Sequence, residues 1–270
     1  MCGIVGYTGP RQAYPVILKG LKRLEYRGYD SSGVALLHDN TINVYKRKGK
    51  VADLEDFMGN VSTNAHIGIG HTRWATHGEP SDRNAHPHSS KSGKLAMIHN
   101  GIIENYALIK QELVNKGYTF SSDTDTEVLL NFIEDIQTNN ECSLEEAIRI
   151  ALKRVTGAYC ILLIEQSNPD TIIAARKGSP LVIGIGKGEH FLASDASPII
   201  EYTKEVVYVN DYELAIVKPD ELILKNLGNE KITPFITKLD MELAAIEKGG
   251  YDHFMLKEIF EQPSTIYDCL

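Results

Sequence analysis

The sequence predicts an α+β domain in which two stacked sheets are covered on the outside by helices. Three observations predict it. The first half alternates short apolar strand patterns with amphipathic helical stripes. The second half, from Tyr159 to Leu224, is a nearly continuous series of strands. The breaks between them fall on Gly, Pro, Asn and Asp, the residues that turn a chain. At 270 residues the chain makes one large domain or two modest ones, and it is long enough to fill a core without covalent staples.

Each element has its own justification. Cys2 to Tyr7 and Val34 to Leu37 are short apolar runs of strand length, and Thr41 to Tyr45 alternates polar and apolar residues as a half-buried strand does. Between the first two, Val16, Ile17, Leu21 and Leu24 recur at helical spacing up to Arg27-Gly28. Ile67 to His71 and Leu95 to Ile98 are further strands. Ile102, Tyr106, Ile109 and Leu113 then predict one face of a helix that stops at Gly117. Thr124-Asp125-Thr126-Glu127 has the capping-box pattern and opens a helix carrying Val128, Leu129, Phe132, Ile133 and Ile136 inward. Ser143-Leu144-Glu145-Glu146 opens another, with Ile148, Ala151, Leu152 and Val155 as its stripe. Strands follow at Tyr159 to Glu165, Thr171 to Ala175, Leu181 to Ile185 and His190 to Ala193. Val206 to Val209, Glu213 to Val217 and Leu222 to Leu224 complete the series.

Composition bounds the function. Hydrophobic residues at 43% and charged residues at 24% exclude wholesale disorder, and a net charge of −8 argues against a basic nucleic-acid surface. The longest strictly apolar run, Ala158 to Ile164, is far short of a membrane span. The first residues carry no basic stretch and no long apolar segment, so a cytoplasmic protein without a secretory signal is expected. The four cysteines Cys2, Cys142, Cys160 and Cys269 are scattered with no CxxC pair, which argues against a disulfide or zinc framework. Lys248-Gly249-Gly250-Tyr251 reads as a hinge, and the apolar Phe254-Met255-Leu256 and Ile259-Phe260 beyond it suit a fragment of a longer protein better than a free tail.

Four segments carry candidate chemistry. Cys2 is the sharpest, because removal of Met1 places a thiol and a free α-amine on one residue. Such an amine titrates near ~7.7–8.0 and can accept the proton of a thiol that titrates near ~8.5. His71-Thr72-Arg73-Trp74-Ala75-Thr76-His77-Gly78 follows a strand and is dense in polar groups. Arg73 offers a fork for a carboxylate there, Thr76 and His77 offer further donors, and a surface ion pair is the plainer role for an isolated arginine. His99-Asn100-Gly101 places a side-chain amide beside a glycine N–H, the pair of donors a developing oxyanion requires, although Asn and Gly also serve ordinary turns. Asp125 at a helix start suits either the helix N-terminus or a ligand ammonium. His86-Pro87-His88 lacks the spacing and the partners of a metal site, so neither a metal nor another cofactor is expected. Gly184-Ile185-Gly186-Lys187-Gly188 reads as a hairpin turn rather than a phosphate cradle.

Taken together, several motifs in one order resemble the glutaminase domains of the glucosamine-6-phosphate synthases, which are class II glutamine amidotransferases. They are Cys2-Gly3-Ile4-Val5-Gly6, Leu24 through Ser31, His71 through Pro80, His99 through Asn105 and Thr124 through Glu127. Ala174-Ala175-Arg176, Gly178 through Gly184, Ala193-Ser194-Asp195, Lys257-Glu258-Ile259 and Glu261-Gln262-Pro263 extend the likeness over essentially the whole chain. The resemblance implies an N-terminal-nucleophile hydrolase fold, a four-layer αββα sandwich with two antiparallel sheets. It implies that Cys2 attacks the side-chain amide of glutamine once Met1 is gone, and that Asn100 and the Gly101 N–H form the oxyanion hole. It further implies that Arg73 binds the α-carboxylate and Asp125 the α-ammonium, while Thr76 and His77 help fix the substrate. Trp74 resembles a gate for ammonia, and Arg27 a support for the nucleophile's loop. By the same resemblance residues 1–240 form the glutaminase domain and residues 241–270 connect it to a sugar-isomerase domain missing from this sequence. Fructose 6-phosphate is reached only through that missing domain, and the full-length enzyme is a homodimer. The phosphoribosylpyrophosphate amidotransferases share the first half-reaction, but they generally differ where this chain reads Arg73 through Gly78. A non-catalytic glutamine-binding module is the third reading, and Cys2, Asn100 and Gly101 together weigh against it.

Overall fold

The computed structural model describes residues 2–59, 61, 63–240 and 251–268. The chain begins with β1 (Gly3–Thr8), α1 (Ala13–Leu24), a short 3-10 turn at Glu25–Arg27, β2 (Ser31–His38), β3 (Thr41–Lys48) and α2 (Val51–Met58). Next come β4 (Ile67–Arg73), β5 (His88–Ser89), β6 (Leu95–Ile103), α3 (Tyr106–Asn115), α4 (Asp125–Asn139) and α5 (Leu144–Arg154). The strands β7 (Gly157–Glu165), β8 (Asn168–Lys177), β9 (Val182–Ile185), β10 (His190–Ala193) and β11 (Glu205–Tyr208) follow. The last are β12 (Glu213–Lys218), β13 (Glu221–Asn226), β14 (Lys231–Ile232) and β15 (Ile236–Lys238), with α6 (Phe254–Asp268) beyond.

These strands form two antiparallel sheets. One has eight strands in the order β15-β11-β9-β10-β1-β4-β2-β3, the other seven in the order β14-β13-β12-β8-β7-β6-β5. Side-chain alternation stacks them. On β1, Val5 and Tyr7 point outward under α1, while Ile4 points inward against the second sheet. On β7, Ile161 and Leu163 lie under α4 and α5, while Cys160, Leu162 and Ile164 face the first sheet. A strand buried on both faces has no polar register to keep, which is why Ala158 to Ile164 reads as an unbroken apolar run. Three apolar layers result, one between the sheets and one beneath each helical cover. A fully buried Leu or Ile in them contributes roughly 1.5–3 kcal/mol.

The helix starts and stops follow local chemistry. Thr124 caps α4 by accepting the Glu127 N–H at 3.3 Å. The Glu127 carboxylate does not complete the expected capping box; it accepts hydrogen bonds from the backbone N–H and hydroxyl of Ser121 and of Ser122. Ser143 caps α5 through the Glu146 N–H at 3.2 Å. Beyond α3, Gly117 takes φ +84°, and the N–H groups of Gly117 and Tyr118 close on the carbonyls of Val114 and Leu113. This is a Schellman ending, and the left-handed residue in it favours glycine. Ile102 departs from expectation. It belongs to β6 and is exposed rather than lying on the α3 face. Helix α2, only eight residues long, has no stripe that periodicity could reveal.

Gly184 through Gly188 lies in the β9–β10 hairpin, where the Gly186 N–H donates to Glu189 O at 2.9 Å. The apolar segment after the hinge forms α6, with Met255, Ile259 and Phe260 exposed. Met1, Cys269 and the Lys248-Gly249-Gly250 part of the hinge lie outside the described residues. Cys160 is fully buried, and burial pushes its thiol up to about 12, which makes it a core residue without nucleophilic character. No helix among the described residues is long and apolar enough to cross a membrane.

Candidate active site

The nine candidate residues converge. Cys2, Arg27, Arg73, Trp74, Thr76, His77, Asn100, Gly101 and Asp125 all line one cleft of about 280 Å³ at an end of the sandwich. They come from both sheets. Cys2 leads into β1, Arg73 ends β4, Asn100 and Gly101 lie near the end of β6, and Asp125 opens α4.

Cys2 is held from two directions. Its Sγ accepts the Trp74 N–H at 3.2 Å and faces the Trp74 carbonyl at 3.5 Å. Its own carbonyl accepts Asn100 Nδ2–H at 3.0 Å. Burial pushes the thiol above its ordinary range, and the Trp74 N–H works against that by favouring the thiolate. Behind it the Ile4 N–H donates to Ser194 Oγ at 3.1 Å, and the Ser194 N–H returns to Ile4 O at 3.1 Å. Arg27 Nη1 lies 3.4 Å from both Ser194 O and Asp195 Oδ2, so the arginine steadies the corner to which the start of β1 is tied.

Asn100 sits at the seam between the sheets. Its Oδ1 lies 2.9 Å from His71 Nε2, and its amide nitrogen reaches Cys2 O. Gly101 follows with φ +132°, and a Cβ built there would come within 2.1 Å of Ala158 O on β7. Only glycine fits that backbone beside that neighbour.

Arg73 is buried, and its guanidinium is anchored on the loop after β4. It donates to His77 O, to Gly78 O at 3.1 Å and to Glu79 O at 3.4 Å. The fork thereby shapes the stretch that carries Thr76 and His77. Trp74 is 50% exposed and meets Tyr29 edge to face at 5.6 Å. The His77 ring packs edge-on to Tyr106, and its Nδ1 is buried without a partner. Across the cleft, Asp125 Oδ2 accepts the Ile103 N–H at 2.8 Å in the first turn of α4, where the helix N-terminus favours a carboxylate.

The histidines form a buried group behind the cleft. His86 Nε2 and His99 Nδ1 meet the Thr126 hydroxyl at 2.8 and 3.0 Å, and His88 Nε2 meets Thr124 Oγ1 at 3.0 Å. Burial pushes His71 down to about 3 and moves His86, His88 and His99 downward as well, so all four are neutral near pH 7. Among the described residues no group of three or more His, Cys, Asp or Glu side chains is placed to hold a metal ion.

Sequence reasoning missed two contributors. Asp30 accepts the Ala75 N–H through Oδ2 and donates its own N–H to Arg73 O at 3.2 Å, which fixes the loop after β4. It stands in the Leu24–Ser31 motif, where nothing local assigns it a role. His71 is the other: it opens the His71–Gly78 segment, but nothing local reveals its partner Asn100 on the opposite sheet.

Comparison with known proteins gives the family. The glutamine amidotransferase domain family matches residues 55–226. The whole chain aligns at 58% identity with glutamine--fructose-6-phosphate aminotransferase [isomerizing] of Bacteroides thetaiotaomicron and at 55% with that of Chlorobaculum tepidum. It spans 44% of the length of each. Among solved structures, a B. subtilis glutamine phosphoribosylpyrophosphate amidotransferase superposes with TM-score 0.73 at 25% identity, over 84% of this chain and 49% of that one. An allosteric regulatory enzyme of purine biosynthesis gives TM-score 0.74 at 26% identity, with the same shares covered. The chain therefore belongs to the glutamine amidotransferase domain family, built as an N-terminal-nucleophile hydrolase αββα sandwich and matching the glutaminase half of the glutamine--fructose-6-phosphate aminotransferases.

Proposed function

We propose that Cys2, once Met1 is removed, hydrolyses the side-chain amide of glutamine to glutamate and ammonia. The observation that carries this reading is the 3.0 Å bond from Asn100 Nδ2 to Cys2 O, which sets a side-chain amide donor beside the cysteine that we take as the nucleophile. One N–H of that amide is used in the bond; the other remains for the substrate.

The α-amine of Cys2 takes the thiol proton, and the thiolate attacks the amide carbon. The tetrahedral oxyanion receives hydrogen bonds from Asn100 Nδ2 and the Gly101 N–H. The proton passes from the α-amine to the leaving nitrogen, the C–N bond breaks, and ammonia departs from a thioester. Water then attacks the thioester and gives a proton to the α-amine. The C–S bond breaks to release glutamate, and the proton returns to sulfur. Arg73 and the loop it organises, with Thr76 and His77, take the α-carboxylate, and Asp125 takes the α-ammonium. Trp74 gates the departure of ammonia, and Arg27 steadies the corner behind Cys2.

Residues 1–240 constitute this unit, and residues 241–270 lead toward a further domain that consumes the ammonia. Fructose 6-phosphate is the acceptor there, in a cytoplasmic homodimer. Identities of 55–58% to the fructose-6-phosphate enzymes against 25% to the solved phosphoribosylpyrophosphate amidotransferase favour that acceptor over phosphoribosylpyrophosphate. The test is an ammonia assay on Met1-free protein. Turnover is expected without added metal, and Cys2→Ala should abolish it while leaving glutamine binding measurable. A folded, Met1-free sample without turnover, or an active Cys2→Ala variant, would overturn the reading.

A further inference from the structure

His71 lies on β4, between Ile4 of β1 and Gly33 of β2, and its ring points into the space between the sheets. There it reaches the opposite sheet. Nε2 stands 2.9 Å from Asn100 Oδ1 and 3.1 Å from His99 O. Both neighbours are acceptors, so Nε2 carries the hydrogen and donates, and the neutral ring keeps Nδ1 as its lone-pair nitrogen. Nδ1 is buried without a partner, and the ring packs against that of His86, with centroids 4.3 Å apart and planes tilted by 30°.

This tautomer decides which way the Asn100 amide faces. Turning the amide over would aim Nδ2–H at the His71 N–H and Oδ1 at the Cys2 carbonyl, setting donor against donor and acceptor against acceptor. Moving the ring proton to Nδ1 would relieve the first clash, but it would leave the Nε2 lone pair facing His99 O. The backbone carbonyl thus holds the tautomer, and the tautomer holds the amide. A misdirected buried amide costs about 1–3 kcal/mol for each group left unpaired.

We infer that His71 is a positioning residue for glutamine hydrolysis, presenting the Asn100 amide N–H toward the oxyanion by donating from Nε2 to Asn100 Oδ1. The inference rests on the oxyanion role proposed for Asn100. His71 touches no substrate, and its effect passes through Asn100 alone.

The side chain of Gln can place an amide N–H near the position of a histidine Nε2, whereas that of Asn falls short. The 270-residue chain, processed to remove Met1, is therefore compared as wild type, His71→Gln, His71→Asn, Asn100→Ala and the double variant His71→Asn/Asn100→Ala. Each is assayed for kcat and KM toward glutamine, with a thermal melt to follow folding. His71→Asn should lower kcat by about 10²-fold, the scale of a misplaced catalytic group. KM should stay within about twofold, since the substrate contacts at Arg73 and Asp125 are untouched. His71→Gln should recover most of that loss. In the Asn100→Ala background His71→Asn should lower kcat no further.

Equal kcat values for the Gln and Asn variants would overturn the inference, as would an additional loss in the double variant. Should His71→Asn fail to fold, a folded His71→Gln variant with kcat as low as that of Asn100→Ala would overturn it equally. Wild-type kcat in Asn100→Ala would instead remove the underlying oxyanion role, a distinct failure read from a different variant.

Discussion

Arg73 shows how one side chain serves several neighbours. Its fork reaches three successive backbone carbonyls, at His77, Gly78 and Glu79, and so builds the wall that carries Thr76 and His77. A lysine ammonium concentrates its donors on one nitrogen and cannot span three carbonyls. Arg73→Lys should therefore raise KM for glutamine by about tenfold or more, the effect of losing one hydrogen bond to a charged group, with a smaller change in kcat. Steady-state kinetics over a range of glutamine concentrations separates the two, and an unchanged KM would remove Arg73 from substrate binding. At this scale the sequence reveals the residues that stand in unusual company, such as Cys2 next to Met1 or Asn100 next to Gly101. It conceals those whose role depends on a partner distant in the chain. His71 meets Asn100, 29 residues away, and Asp30 meets Ala75, 45 residues away. Neither pairing leaves a local pattern.

At the scale of the element, β6 carries the site because it stays paired with β7 to its end through a residue that only glycine can be. Gly101 at φ +132° lies against Ala158 O of β7, and the next residue, Ile102, is exposed at the lip of the cleft. Gly101→Ala should force β6 and β7 apart at that point, costing about 1–3 kcal/mol of stability for the backbone strain and lowering kcat along with it. Thermal unfolding and an ammonia assay on the same preparation check both, and a variant with wild-type stability and rate would show that the conformation is not needed. The same continuation of β6 explains why sequence periodicity places Ile102 on a helix face: an apolar residue at helical spacing from Tyr106 is indistinguishable from a core position until the strand is seen to run on. Strands with apolar alternation and helices with capping residues are legible. Helix α2, two turns long, and the two-residue strands β5 and β14 are not, since so few residues establish no period.

Taken whole, the sandwich keeps four neutral histidines dry at its cleft end. Their pKa values lie below the ordinary 6.5 in the folded protein, so the unfolded chain binds more protons than the native one once the pH falls below that value. The stability they allow is complete above about pH 6.5 and drains away as the pH falls toward the folded values, about 3 for His71. The slope approaches about 1.4 kcal/mol per pH unit for each histidine. Urea unfolding at pH 7.5 and pH 5.5 should give a lower midpoint at the acidic value, before most carboxylates titrate; equal midpoints would mean that these rings accept protons in place.

The strand that starts beside Cys2 is bonded along both edges, to β4 on one side and β10 on the other. Architecture and reactivity are thereby decoupled at the very head of the polypeptide. A purification tag or fusion partner spliced ahead of the cysteine would leave this ladder intact and yield a well-behaved protein, while occupying the nitrogen on which the proposed mechanism depends. Good behaviour on a sizing column is thus no guide to competence, and the same reasoning forbids any circular permutation that buries this junction in mid-chain.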